Sequence, residues 1–169
     1  VLSEAISKNT GLVGFVVQGW EDARAFTEAG SRLGVPVILQ VGPNCRNHYP
    51  LPVLGKMLRN LAEASNHDVV IHLDHAMELA TCQIALDEGF SSSMYDGSRL
   101  PLNENITMSK KVSKLTTQYG ASFEAEIGYV GYMGQYENKI TDPSEVKIFI
   151  SALKVDALAV SVGNTHLQE

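Results

Sequence analysis

Two imidazoles and a carboxylate crowd the stretch "IHLDHAMELA" (71–80), where His72, Asp74 and His75 fall almost side by side. Ile71 and Leu73 alternate with His72 and Asp74 as in a strand, so His72 and Asp74 share one face. His75 comes at the exit, where the pleat no longer dictates direction. An exit histidine beside a carboxylate suits a metal site with an acid/base at its edge. On spacing alone a plainer reading leads: Asp74 caps the next helix and His72 is a satisfied core histidine.

Further along, "FEAEIG" puts Glu124 and Glu126 at i and i+2, on one face of a strand. Paired carboxylates on a buried strand are costly unless a cation or donors offset them. An edge strand facing solvent would carry the same alternation. "MYDGS" adds Asp96 and Ser98 at another strand exit, and "SVGNTH" delivers His166 after a tight turn at Gly163 and Asn164. His75, Glu126 and His166 are ligand-type side chains on three strand ends. Such a set fits deprotonation next to a carbonyl that a divalent metal polarises. His48 and His67 read as surface-loop residues, and Cys82 as a core residue of a helix.

The elements that must position these groups follow an alternating pattern. Strands are expected at 11–17, 35–41, 68–74, 90–97, 122–128 and 156–163. Helices are expected at 20–34, 52–65, 77–89, 103–120 and 141–154. Gly34 and Gly120 close two of them, and Asp142, Pro143 and Glu145 supply an N-cap, a first helical residue and a capping box. A polar, Pro-bounded loop (42–50) and a glycine-rich loop (128–141) lie between elements. "VPVILQV" is apolar almost throughout, as in a strand buried on both faces. Six strands alternating with five helices predict an α/β fold with a parallel sheet, doubly wound or a TIM-type (β/α)8 barrel. Both architectures put the site at the carboxyl ends of the strands, where these polar residues cluster. With no GxGxxG or GxxxxGKS motif, the barrel is the better expectation. A closed barrel needs eight strands and about 250 residues. The expectation is therefore a single barrel domain over 1–169, truncated after its sixth strand.

Composition narrows the function classes. The 169 residues, 44% hydrophobic and 19% charged, describe a globular chain that can bury a core. A net charge of −6 argues against non-specific binding to nucleic acid or an anionic membrane, so a phosphate site would have to be local. No apolar run reaches the ~20 residues of a membrane span, and "VLSEAISKNT" has no secretory pattern. Cys45 and Cys82 form no disulfide framework or zinc pattern, which gives a cytoplasmic expectation with reduced thiols.

These residues carry a resemblance. "VPVILQV", "IHLDHA", "GFSSSMYDGSRLPLNENI", "EAEIG", "TDPSE" and "VDALAVSVGNTH", in that order, resemble the class II, metal-dependent ketose-bisphosphate aldolases, which include fructose- and tagatose-bisphosphate aldolases. The similarity runs along essentially the whole chain and covers roughly the first 60% of a family member's barrel. The resemblance implies reversible cleavage of a ketose 1,6-bisphosphate to dihydroxyacetone phosphate and an aldehyde such as glyceraldehyde 3-phosphate. It implies Asp74 as the acid/base at the substrate's C4 hydroxyl. His75 and His166 would be two of three histidines on Zn2+ or another divalent metal, with Glu126 and Asp96 as carboxylates of the metal's alternative position. Ser98, Gly163 and Asn164 would lie on the substrate side. A homo-oligomer, dimer or tetramer, is also implied.

The chain departs from the family pattern at several positions. Val16 follows Phe15 where the family has asparagine, and Gly42 stands where a serine helps to hold phosphate. Tyr132 takes the place of a glycine, Met133 and Gly134 stand near the usual acidic pair, and Glu137 is displaced from it. Leu167 replaces a glycine, and the third metal histidine would come from a seventh strand. Two readings therefore stand: a working metal-dependent aldolase, or a diverged aldolase-like protein that binds a phosphosugar without turnover. A metal-independent phosphosugar isomerase is less well supported, since it would not need both histidines. Six strands alone leave open sheet edges, so the isolated piece is expected to be inactive and prone to associate.

Overall fold

The computed structural model describes residues 1–131 and 138–166. Its strands are β1 (Gly14–Val16), β2 (Val37–Val41), β3 (Val69–Ala76), β4 (Ser92–Tyr95), β5 (Ser122–Ile127) and β6 (Ala157–Val160). They form one sheet in the order β1-β2-β3-β4-β5-β6, every neighbouring pair parallel. Spatial order equal to chain order excludes the doubly wound alternative, which reverses direction at a switch point. The sheet is an incomplete (β/α)8-type barrel wall with β1 and β6 as its edges.

The helices are α1 (Leu2–Lys8), α2 (Trp20–Leu33), α3 (Pro43–His48), α4 (Leu51–Ala64), α5 (Leu79–Asp87), α6 (Leu102–Tyr119) and α7 (Pro143–Ala152). Gly34 and Gly120 end α2 and α6 in the left-handed conformation, at φ 67° and 65°. Asp142 caps α7 by accepting from Ser144 N at 2.8 Å. Glu145 is instead engaged by Lys139 Nζ at 3.1 Å, the lysine being held just before the helix by a backbone bridge to Tyr129. Among the described residues, α1 and α3 add to the five expected helices. The six-residue α3 lies where a loop is expected, and so short a segment has no hydrophobic period to betray it.

Register explains which residues meet. Val41, Leu73, Ser93 and Phe123 form a row facing the helices, where Leu54, Leu58, Cys82, Leu86, Val112 and Phe149 complete the core. Fully burying a side chain such as Leu39 contributes about 2 kcal/mol. Gln40, His72, Ser92 and Ser122 form the adjacent row on the inner face. Below it a cavity of about 520 Å³ extends to Leu2 and Ile6, so α1 lies across the amino-terminal mouth of the wall.

Candidate metal centre

β3 does not end as a plain strand. Its pairing with β4 slips between Leu73 and Ala76, and His75 sits at φ 50°, in the left-handed region that non-glycine residues rarely enter. An unbroken pleat would point Asp74 inward and His75 toward the helices. The bulge turns both toward the barrel mouth, leaving His75 Nε2 3.8 Å from Asp74 Oδ1.

Three neighbouring strands then deliver carboxylates or a second imidazole. Asp96, just past β4, places Oδ2 3.0 Å from His75 Nδ1. Glu126, near the end of β5, has Oε2 3.4 Å from the same nitrogen. Beyond β6, His166 donates its backbone N–H to Gly131 O at 2.8 Å, and its ring centroid lies 6.1 Å from that of His75. Ligand atoms of His75, Asp96 and Glu126 lie within 4.8 Å of one another, a tighter group to which His166 is adjacent. Glu126 is 4% exposed and its Oε2 has no hydrogen-bond partner. The His75 contact is too long and shared with Asp96 to count as one. A buried carboxylate oxygen left bare costs ~1–3 kcal/mol or more, and a cation is the natural remedy. One nitrogen and two oxygen donors suit zinc or another divalent ion.

The sequence model of the family described as "Fructose-bisphosphate aldolase class-II" matches residues 1–169. The chain belongs to that family. It is 33% identical over 190 residues to a fructose-bisphosphate aldolase of Rhizobium meliloti (strain 1021), covering 98% of the chain and 53% of the relative. To a 6-phospho-5-dehydro-2-deoxy-D-gluconate aldolase of Bacillus velezensis it is 33% identical over 172 residues, covering 98% and 59%. The crystal structure of the YdjI aldolase from Escherichia coli K12 superposes with a TM-score of 0.88 at 27% identity, covering 98% of the chain and 61% of that structure. The chain thus spans somewhat more than half the length of these aldolases.

In this class II chain the electrostatics centre on His75. The hydrogen bond to Asp96, and then the Glu126 carboxylate 3.4 Å away, push its pKa up to about 10 against the opposing effect of burial. For Asp96, burial favours the neutral acid, but hydrogen bonds from His75 and Ser98 outweigh it and hold the carboxyl below its ordinary value. The protonated imidazole thus supplies the positive charge that these carboxylates demand. One layer deeper, burial lowers His72 to about 4. Burial, then the charge of Asp74, raises Glu124 to about 7. His72 is 3% exposed, its Nδ1 2.8 Å from Ser92 Oγ and its Nε2 3.5 Å from Glu124 Oε2. It is thus a core histidine, as the plainer reading had it, but not a satisfied one, because its Nε2 has no hydrogen-bond partner.

Ser98 is buried and donates its hydroxyl to Asp96 Oδ1 at 2.6 Å, so here it orients the carboxylate. Gly163 adopts φ 96°, and the carbonyl of Asn164 accepts from Asn138 Nδ2, tying the two loops together. Gly42 has ordinary extended dihedrals, yet a Cβ there would lie 3.3 Å from Asp74 Oδ2. Tyr132, Met133, Gly134, Glu137 and Leu167 lie outside the described residues. The sequence does not single out Arg46 of α3, although its guanidinium reaches the end of β3. No motif marks it.

Proposed function

We propose that the protein carrying these residues cleaves and condenses a phosphorylated ketose by metal-dependent aldol chemistry. A ketose 1,6-bisphosphate, fructose or tagatose, is the first-choice substrate, with dihydroxyacetone phosphate and an aldehyde as products. The carrying observation is the His75–Asp96–Glu126 cluster with its bare buried carboxylate oxygen, beside Asp74. His75, Asp96, Glu126 and the adjacent His166 would hold Zn2+ or another divalent cation. When bound, that ion supplies Lewis-acid polarisation of the ketone.

The chain's own groups do the rest. Asp74, with a side chain 15% exposed, keeps enough solvent contact to take and return a proton at the C4 hydroxyl. Ser98 keeps Asp96 aimed at His75. Gly163 and Asn164 turn the chain that delivers His166 and, with the face around Ser98, lie on the substrate side. Residues 1–169 form the amino-terminal part of one barrel domain in a homo-oligomer of the cytoplasm. No helix among the described residues is long and apolar enough to cross a membrane.

The test is metal content plus a coupled triose-phosphate assay on the intact protein, with Asp74→Ala as control. Chelator-sensitive cleavage that Asp74→Ala abolishes is the expected result. A protein that binds a phosphosugar but no divalent metal, with no turnover of any ketose bisphosphate, would be the diverged binding protein instead.

A further inference from the structure

Arg46 enters no motif and touches none of the candidate ligand side chains, yet it binds the backbone that aims one of them, His75, and the acid/base Asp74. Its Nη1 donates to Asp74 O at 2.5 Å and to Val41 O at 3.2 Å, and its Nη2 donates to His75 O at 2.6 Å. The three carbonyls come from the ends of β2 and β3, which α3 overhangs. Cys45, in the core, anchors that helix beside them.

The need for such a clamp follows from the bulge. Where pairing with β4 slips, the ladder no longer dictates the backbone between Leu73 and Ala76. Ala76 O regains a partner only at Asp96 N, 2.8 Å away. His75 at φ 50° carries the steric cost of the left-handed region, which a residue with a Cβ rarely adopts. A residue in that region persists only where its surroundings hold it there. A planar guanidinium offers two parallel donors at fixed spacing, which suits adjacent carbonyls better than the single ammonium of lysine.

We propose that Arg46 is a positioning residue: by gripping the carbonyls of Asp74 and His75 it locks the left-handed bulge that turns both side chains into the metal site. The inference rests on the functional reading above for what that site does, but not for its geometry. Without Arg46 the strand end can relax into a regular pleat, which would turn the His75 ring toward the helices and away from Asp96.

The experiment compares Arg46→Met and Arg46→Lys with the intact wild-type protein, using Co2+ as the probe. Arg46→Met is expected to fold and to bind Co2+ roughly tenfold or more weakly, as losses of outer-shell support do. Its visible Co2+ spectrum should change, and kcat should fall with KM nearly kept. Arg46→Lys should recover part of each. Wild-type Co2+ affinity and spectrum in folded Arg46→Met would overturn the proposal. If that variant does not fold, Arg46→Lys decides: weaker binding with a changed spectrum supports the clamp, and wild-type values overturn it. If the wild type binds no Co2+, the metal reading fails instead. The crystal structure of the folded variant then decides this one, because His75 retained at positive φ overturns it and His75 at extended φ supports it.

Discussion

His75 Nδ1 and Asp96 Oδ2 lie 3.0 Å apart although one residue ends β3 and the other follows β4. The contact exists because Asp96 N bonds Ala76 O across the bulge, setting the two strand ends level. It makes His75 the most strongly basic imidazole for which a shift is seen, and several expectations hang on that.

The pH dependence of metal binding follows from the raised pKa of His75. In the metal-free protein its folded value of about 10 exceeds the ordinary 6.5. That stabilisation is fully present below 6.5 and is lost as pH rises through about 10. A metal needs the neutral ring, so binding near neutrality must expel a proton and affinity must climb with pH. Calorimetry in two buffers of different ionisation enthalpy measures the expelled proton. A result of no proton released at pH 7 would remove His75 from the ligand set.

The deeper pair makes a different pH prediction. His72, depressed to about 4 from 6.5, contributes stability above 6.5 that is lost as pH falls toward 4. Glu124, raised to about 7 from 4.5, contributes stability below 4.5 that is lost as pH rises toward 7. Across the shared window the two slopes oppose each other. Glu124→Gln removes one of them, so the variant should lose stability on going from pH 7 to pH 5 more steeply than the wild type. Urea midpoints at the two pH values decide it; equal pH dependence would mean that the pair does not balance.

Asp74→Asn removes the proton acceptor without removing a member of the tight metal group. In the intact protein kcat should fall by about 10²–10⁴-fold, with metal content unchanged by elemental analysis. Loss of the metal as well would make Asp74 a ligand rather than the acid/base.

Gly42 offers a test by restoring the family's serine. The backbone there, at φ −78° and ψ 174°, accepts any residue, so folding should be preserved. A Cβ 3.3 Å from Asp74 Oδ2 nevertheless presses on that carboxylate. A shift of a few tenths of an ångström should lower kcat of Gly42→Ser by about three- to tenfold, given that 1 Å of misplacement can cost about 100-fold. Unchanged kcat would show that Asp74 tolerates the crowding.

Much of the scaffold was legible in the chain because its signals are local. Strand alternation, the closing glycines Gly34 and Gly120 and the cap at Asp142 each act within a few residues of themselves. The inward face of His72 and Asp74 follows from period 2 alone, and so does that of Glu124 and Glu126. The six-residue α3 and the engagement of Glu145 by Lys139 were not legible, since a weak local pattern is overruled by whatever the fold brings near.

What the sequence by itself determined is therefore a set of strands, their two faces and the polar residues at their exits. Whether His75 faces the mouth or the helices was left to the tertiary structure. The pleat sends Asp74 and His75 to opposite sides, and a register slip of β3 on β4 reverses that for His75. Such a slip depends on partners distant in the chain: Asp96 just past the next strand and Arg46 on a helix packed over the sheet. A local period cannot encode these contacts, because the neighbours that stabilise the strained residue exist only after the strands have aligned.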